Sequence, residues 1–129
     1  MQKVREIMST NPVSVQSSQT VREAVKIMTE MKIGSIVVNH EKEIVGILEE
    51  GDIIRNVLCK DLNPYVTKVE DVMSNLHTIN EDKMDDDASQ MMMEHRVRHI
   101  TVSENSKVIG VISMFDLMRP TYTGKPFRT

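Results

Sequence analysis

Residues 46–52 read Gly-Ile-Leu-Glu-Glu-Gly-Asp, and residues 110–116 read Gly-Val-Ile-Ser-Met-Phe-Asp. In both stretches a glycine is followed by two apolar residues, and an aspartate closes the motif. The two stretches lie 64 positions apart, and the same offset superposes Ala24 on Ala88. Self-similarity at a fixed spacing indicates a repeated structural unit. The sequence therefore predicts two copies of one small unit.

The same order of elements is predicted in each copy. Helices are indicated by apolar residues at i, i+3, i+4 and i+7, and strands by β-branched runs between polar turns. The first copy predicts a helical lead, a strand, a helix, two strands and a helix at residues 3–8, 13–15, 21–32, 35–39, 43–48 and 53–59, with Gly34 ending the long helix. The second copy predicts the same order at residues 69–73, 77–79, 85–95, 99–103, 107–112 and 114–118.

Such a unit leaves a large apolar face uncovered, and two units meeting face to face would bury it. We therefore expect a fold of the α/β (α+β) class, a pseudo-twofold pair of repeats in which each repeat is a small three-stranded sheet with two helices. The first repeat is placed at residues 1–60, the second at residues 61–120 and a C-terminal tail at residues 121–129. Together the repeats are expected to form one module.

Composition narrows the class of protein. The chain has 129 residues, of which 40% are hydrophobic and 27% charged, as in ordinary globular domains. It contains no apolar stretch of about 20 residues, so no membrane partner is expected. A net charge of −3 argues against nucleic-acid binding. The single cysteine, Cys59, cannot form an internal disulfide, which together with the absence of a secretory signal predicts a cytoplasmic protein.

Six motifs in a fixed order give a family resemblance. They are Ile7-Met-Ser9, Thr20-Val-Arg-Glu-Ala24 and residues 46–52, followed by Val72-Met-Ser74, Asp85-Asp-Asp-Ala88 and residues 110–116. With these motifs the chain resembles a tandem pair of CBS domains, the repeats that form a Bateman module. The resemblance covers Val4 to about Met118.

The resemblance implies a regulatory module and no enzyme. CBS pairs bind AMP, ADP, ATP or S-adenosylmethionine in the cleft between the repeats and signal to a partner protein. The sequence shows no nucleophile–base pair, phosphate loop or metal-ligand spacing, so we expect no catalytic residue, no metal and no cofactor. The resemblance implies an adenine nucleotide or S-adenosylmethionine as regulatory ligand. The regulated protein is not identified by the sequence. The alternative function is a protein–protein interaction or scaffold module with vestigial ligand clefts.

A ribose site is predicted at Ser113 and Asp116. Three residues apart at a helix start, these side chains lie on one face, and an ionised aspartate can accept hydrogen bonds from both ribose hydroxyls. In the family this signature binds ribose, although both residue types also serve as ordinary helix caps. Asp52 is the equivalent in the first copy, where Glu49 replaces the expected Ser or Thr. A carboxylate there would repel an anionic nucleotide, so we expect the Ser113 and Asp116 site to be the tighter one.

Arg98 and His99 are predicted to contact phosphate. They stand at the entrance of a strand, where basic residues of nucleotide-sensing family members contact phosphates. A guanidinium suits phosphate oxygens, and His99 would add charge below a pH of about 6.5. The equivalent residues of the first copy, Gly34 and Ser35, are uncharged. The alternative is a solvated turn whose basic residues complement a helix C-terminus.

The adenine pocket is expected where each lead meets its following strand. In the family these segments line it, which implies the candidate residues Ser9, Thr10, Pro12, Val13, Ser74, His77 and Thr78. The sequence leaves open which segment faces the Ser113 and Asp116 site, and a plain structural turn is the alternative for both.

A homodimer is also predicted. The helices that follow Gly51 and Met114 carry apolar faces that could pair two modules, as in many family members.

Overall fold

Two three-stranded sheets of the same topology organise the chain. A computed structural model describes residues 1–118, and the predicted tail at residues 121–129 lies outside the described residues. The elements in chain order are α1 (Val4–Ile7), β1 (Ser14–Gln16), α2 (Val21–Met31), β2 (Ser35–His40), β3 (Glu43–Glu49), α3 (Glu50–Ile53), β4 (Thr78–Asn80), α4 (Asp85–His95), β5 (His99–Glu104), β6 (Lys107–Ser113) and α5 (Met114–Met118). The α/β class and the two small sheets agree with the prediction.

The strand registers repeat at the spacing seen in the sequence. In the first sheet β1 is parallel to β2, and β2 is antiparallel to β3, with Ser35 opposite Glu49. In the second sheet β4 is parallel to β5, and β5 is antiparallel to β6, with His99 opposite Ser113. Each long strand pair carries one irregularity, after Val38 and after Val102. The doubled sequence therefore encodes a doubled backbone.

The described chain divides into two compact units. The first unit comprises residues 13–76, and the second unit comprises residues 1–12 and 77–118. We call residues 1–12 the first lead and residues 69–76 the second lead. Relative to the sequence repeats the two leads are exchanged, because each one packs with the sheet of the other copy.

Backbone hydrogen bonds and buried side chains fix the exchanged leads. In the first unit, Ser74 pairs with Ile47 in an antiparallel bridge, and Val69 belongs to the core around Leu48. In the second unit the corresponding bridge joins Ser9 to Val111, and Val4 belongs to the core around Ile112. Each lead thus contributes an apolar side chain and a short backbone pairing to its unit.

Three local predictions were wrong in detail. Helix α2 ends at Met31, because its C-cap residue Lys32 has a left-handed φ of 56°, and the helix therefore stops before Gly34 is reached. The end of the helix is stabilised there because the Ile33 backbone N–H donates a hydrogen bond to the Met28 carbonyl at 3.0 Å. Helix α3 begins at Glu50, three residues early, because Asp52 caps it, and a π-helical segment Ile54–Leu58 continues it. The second lead forms only a short 3₁₀ turn, Val69–Asp71.

Within residues 1–118 no helix combines the length and apolarity needed to cross a membrane.

Candidate functional site

The predicted ribose pair lies in the second unit, where β6 passes into α5. Asp116 Oδ2 accepts hydrogen bonds from the Ser113 backbone N–H at 2.8 Å and from Ser113 Oγ at 3.0 Å. The Asp116 N–H donates in return to Ser113 Oγ at 3.1 Å. The two residues are only 1% and 6% exposed. This is a reciprocal cap of α5, so the capping alternative raised by the sequence is realised.

The cap engages only one of the two carboxylate oxygens of Asp116. Within residues 1–118 no hydrogen bond reaches Asp116 Oδ1, since the bonds of this side chain all involve Oδ2. Each carboxylate oxygen can accept hydrogen bonds, and a ribose diol presents two hydroxyl donors. Capping and ligand binding are therefore compatible in the same carboxylate.

Asp52 is the structural counterpart in the first unit, and both of its oxygens are engaged. Oδ2 accepts the Glu49 N–H at 2.8 Å, which is the same capping bond. Oδ1 accepts the hydroxyl of Ser74 at 2.6 Å, and an Arg55 guanidinium nitrogen lies 3.9 Å from it. Asp52 is 2% exposed. Glu49, the equivalent of Ser113, has no hydroxyl to donate to Asp52, and Ser74 of the second lead donates one instead.

The structure divides the candidate adenine residues between the two units. Ser9, Thr10 and Pro12 lie in the same unit as the Ser113 and Asp116 pair, whereas Val13 and Ser74 belong to the first unit. Ser9 exchanges two backbone hydrogen bonds with Val111, two residues before Ser113, at 2.8 and 2.9 Å. The first lead, not the second, therefore accompanies this site. Ser9 and Thr10 are exposed.

His77 and Thr78 also lie in the second unit, at the start of β4. The Thr78 hydroxyl is 2.6 Å from the hydroxyl of the fully buried Thr101. The His77 ring stacks on the His95 ring with a centroid distance of 4.0 Å. Burial, and then the neighbouring His95, lower the pKa of His77. Both side chains are thus tied to contacts inside their own unit.

His99 shares a sheet face with Ser113, because residues directly opposite in antiparallel strands project to the same side. Burial, with a smaller contribution from the adjacent Arg98, lowers the pKa of His99 to about 4. The expectation that His99 gains charge below pH 6.5 was therefore wrong. A neutral imidazole can still donate one hydrogen bond. Arg98 is exposed, and it remains the charged member of the predicted phosphate pair.

A carboxylate occupies the corresponding place in the first unit. The Met114 N–H donates to the Arg98 carbonyl at 2.8 Å, and the Glu50 N–H donates to the Gly34 carbonyl at 3.1 Å. Gly34 is therefore the backbone equivalent of Arg98. A Cβ atom placed on Gly34 would lie 2.5 Å from Glu50 Oε1. The Glu50 carboxylate uses the space that a side chain at position 34 would need.

Sequence reasoning singled out Glu49 and named Ser74 only as an adenine-pocket candidate. It missed the Glu50 carboxylate and the hydrogen bond from Ser74 to Asp52. The available signal was the pair of adjacent carboxylates in the 46–52 motif opposite a residue without a side chain, Gly34. No local pattern pairs Ser74 with Asp52, because 22 residues separate them.

The apolar helix face predicted after Gly51 is only partly buried. Val57 is buried, whereas Ile54 and Leu58 are 54% and 60% exposed. A pocket of about 500 Å³ opens beside Ile54 between α2 and α3, and its apolar lining includes Val25 and Ile53. The π-helical segment thus presents two large apolar side chains that the sequence pattern assigned to the core.

Comparison with known proteins identifies related chains. A family model described as CBS domain matches residues 4–59 and 69–120. The CBS domain-containing protein YhcV of Bacillus subtilis is 29% identical over 118 residues, which cover 91% of this chain and 84% of the relative. The mitochondrial CBS domain-containing protein CBSX3 of Arabidopsis thaliana is 32% identical over 109 residues, covering 80% of this chain and 53% of the relative. This chain thus spans about half the length of the Arabidopsis protein.

A solved structure extends the similarity to the backbone. A protein with CBS domains from Burkholderia ambifaria superposes with a TM-score of 0.87 at 28% identity, and the match covers 98% of both chains. The backbone superposition and the two family matches agree on one architecture.

Proposed function

We propose that this chain, which belongs to the CBS-domain family, binds an adenosine-containing ligand at the Ser113 and Asp116 site and signals to a partner protein. CBS pairs are generally regulatory, ligand-binding modules rather than catalytic ones. Asp116 receives the ribose in this proposal. The observation that carries it is the contrast between Asp116 Oδ1, which accepts no hydrogen bond within residues 1–118, and Asp52, whose two oxygens are both engaged.

The ribose assignment follows from the chemistry of a capped carboxylate. Asp116 is held in one orientation by the Ser113 N–H and hydroxyl, so it needs little reordering when a ligand arrives. A hydroxyl that donates to a carboxylate forms a charge-assisted hydrogen bond, which is stronger than a neutral one. A vicinal diol can place such a donor at Oδ1.

Arg98 and His99 favour an anionic ligand in the same unit. Arg98 supplies the positive charge, and His99 lies on the sheet face shared with Ser113. In the first unit Gly34 and Glu50 stand at the equivalents of Arg98 and Met114, and they present a carboxylate. The charge distribution thus supports binding of AMP, ADP or ATP in the second unit more than binding of a cationic nucleoside such as S-adenosylmethionine.

The first lead is the proposed adenine-binding segment. Its residues Ser9 and Thr10 are exposed, and its backbone is fixed against β6 by the two hydrogen bonds between Ser9 and Val111. Base recognition by a rigid backbone segment costs little conformational entropy. Pro12 supports this rigidity because its ring fixes φ.

Two copies of the chain are proposed to pair through apolar helix surfaces. Ile54 and Leu58 of the first unit are more than half exposed, and Phe115 and Met118 of the second unit are 42% and 47% exposed. Apolar side chains clustered on a surface mark interaction sites. A homodimer would bury them.

The alternative is an interaction or scaffold module whose ligand sites are vestigial. Both carboxylate oxygens of Asp52 already accept hydrogen bonds, so a ligand in the first unit would have to displace the Ser74 hydroxyl. This favours a vestigial site in the first unit. The alternative requires that the second unit also binds nothing.

Isothermal titration calorimetry with AMP, ADP, ATP and S-adenosylmethionine separates the two functions. Asp116→Asn keeps an oxygen for the cap but replaces the other oxygen by a donor, which cannot accept from ribose. We expect this variant to weaken binding at least about tenfold, and the matched Asp52→Asn to leave it unchanged. No heat with any ligand at about 100 μM protein would favour the scaffold. Equal losses in both variants would contradict the assignment to the second unit.

A further inference from the structure

We propose that the first unit is a closed copy of the ligand site, in which Ser74 occupies the position that ribose takes in the second unit and the Glu50 carboxylate opposes a phosphate beside Gly34, the equivalent of Arg98. The inference rests on the proposed function of the second unit for the meaning of those positions. In this proposal the hydrogen bond from Ser74 to Asp52 keeps a potential second site shut and limits the chain to one bound nucleotide.

The first step concerns the ribose position. Asp52 and Asp116 have the same cap, because each Oδ2 accepts the backbone N–H of the residue three positions earlier at 2.8 Å. Their second oxygens differ. The Ser74 hydroxyl donates to Asp52 Oδ1 at 2.6 Å, which is the geometry expected of a sugar hydroxyl on a carboxylate. Ser74 therefore acts as an internal substitute for the ribose.

The counterpart of Ser74 shows that this contact is not a general feature of the repeat. Ser9 occupies the same place in the first lead, since both serines bridge the strand that ends at the capped helix. Within residues 1–118 Ser9 makes no side-chain hydrogen bond to Asp116, whose Oδ2 is occupied by Ser113. The first unit lacks that serine at position 49, and the lead supplies the hydroxyl instead.

The second step concerns the phosphate position. Gly34 is the equivalent of Arg98, because each carbonyl accepts the N–H of the first residue of the following short helix. The Glu50 carboxylate reaches over Gly34, where Oε1 lies 2.5 Å from the place of a Cβ. A carboxylate resembles a phosphate in charge and in acceptor oxygens. The Glu50 carboxylate therefore puts a negative charge where the second unit has the Arg98 side chain, and this charge opposes a ligand phosphate in the first unit.

Charge reinforces the closure. Glu49 and Glu50 are adjacent carboxylates at the start of α3, and the nearest cation to Asp52 is the mostly exposed Arg55 at 3.9 Å. An anionic nucleotide entering the first unit would meet like charge and would also have to break the Ser74 bond. Both obstacles must be removed to open the site.

The test counts bound nucleotides per chain by calorimetry and equilibrium dialysis, using whichever of AMP, ADP and ATP binds the wild-type protein most tightly. The opened variant carries Glu50→Ala and Ser74→Ala. The matched control, Glu30→Ala with Ser18→Ala, removes the same residue types from exposed positions of the first unit. We expect one nucleotide per chain for the wild type and the control, and two for the opened variant.

Adding Asp116→Asn to the opened variant should leave one nucleotide, and adding Asp52→Asn should also leave one. Two nucleotides on the wild type, or only one on a folded opened variant, would overturn the inference while the proposed function stands. If the wild type binds none of the three nucleotides, the proposed function fails, and the opened variant is then titrated with all three. Binding of one nucleotide per chain would support the closed first site, and binding of none would overturn it. If the double variant does not fold, Glu50→Gln with Ser74→Ala, which removes the charge at position 50 but keeps the side-chain volume, carries the same expected count.

Discussion

The Ser74 hydroxyl lies 2.6 Å from Asp52 Oδ1, whereas Asp116 Oδ1 receives no hydrogen bond within residues 1–118. The two aspartates hold equivalent places in a doubled backbone, and the state of Oδ1 distinguishes them. The Ser74 bond satisfies Asp52 Oδ1 internally, whereas Asp116 Oδ1 retains an acceptor for a ligand.

Removing the Ser74 hydroxyl should destabilise the first unit. Ser74→Ala leaves a buried carboxylate oxygen without its donor, and hydrogen bonds to charged groups contribute about 1.5–3 kcal/mol. We expect a loss of that order in the free energy of unfolding measured with urea. Ser9→Ala is the matched control, because Ser9 is exposed, and it should stay within about 0.5 kcal/mol of the wild type. Equal effects of the two substitutions would contradict the assigned role of Ser74.

Gly110 should be intolerant of a side chain because the first lead passes close to it. A Cβ at this position would lie 2.8 Å from both the Ser9 carbonyl oxygen and Met8 Sδ. The methionine can move, but the Ser9 backbone is fixed by its pairing with Val111. We expect Gly110→Ala to lower the unfolding temperature and to weaken nucleotide binding by displacing the lead.

Gly46→Ala provides the comparison for Gly110, since its Cβ would approach Met73 Sδ and lie 3.0 Å from the Ser74 carbonyl oxygen of the first unit. It should lower the unfolding temperature without weakening binding at the second unit. Unchanged affinity in Gly110→Ala would show that the first lead does not contact the ligand.

The low pKa of His99 predicts a pH-dependent stability. The folded protein binds this proton with a pKa of about 4, compared with 6.5 for an unperturbed histidine. The unfolded chain therefore takes up the proton first, and the contribution of His99 to stability falls as pH decreases from about 6.5 towards 4. The full difference corresponds to about 3 kcal/mol.

His99→Gln should reduce that pH dependence, because glutamine does not titrate. The measurement is the urea midpoint of both proteins at pH 7 and pH 4.5. His77→Gln is a useful comparison, since the pKa of His77 is also lowered by burial and by His95. Parallel pH profiles for the wild type and His99→Gln would contradict the burial of a neutral imidazole.

Self-association should depend on the exposed apolar side chains of the π-helical segment. Ile54 and Leu58 are 54% and 60% exposed, and a charge at either position would oppose burial in a dimer. Size-exclusion chromatography with light scattering should give about twice 14.7 kDa for the wild type. Leu58→Lys should shift the mass towards the monomer, whereas Lys60→Ala nearby should not. A monomeric wild type would contradict the proposed pairing.

The features set by local pattern were predictable from the sequence. The apolar stripe of α2 and the start of this helix at the Thr20-Val-Arg-Glu motif depend on neighbours within a few residues, and the structure realises both, with Thr20 and Glu23 capping the helix reciprocally. The offset between Gly46 and Gly110 also anticipated the equal strand registers.

The exchange of the leads was not predictable, because both leads have nearly the same apolar pattern and only the packed chain selects a partner strand. The same reason hid the contact between Ser74 and Asp52, which joins residues far apart in sequence. The charge assigned to His99 was wrong because the burial of a single side chain at a strand entrance cannot be read from residue type. Long-range packing thus decided the features that distinguish the two sites.

A crystal structure of the chain with the tightest-binding adenine nucleotide tests the central claim most directly. The proposal predicts a ribose hydroxyl within about 3 Å of Asp116 Oδ1, with the Ser74 hydroxyl still bonded to Asp52. A nucleotide whose ribose contacts Asp52, or one bound away from both aspartates, would contradict the proposal.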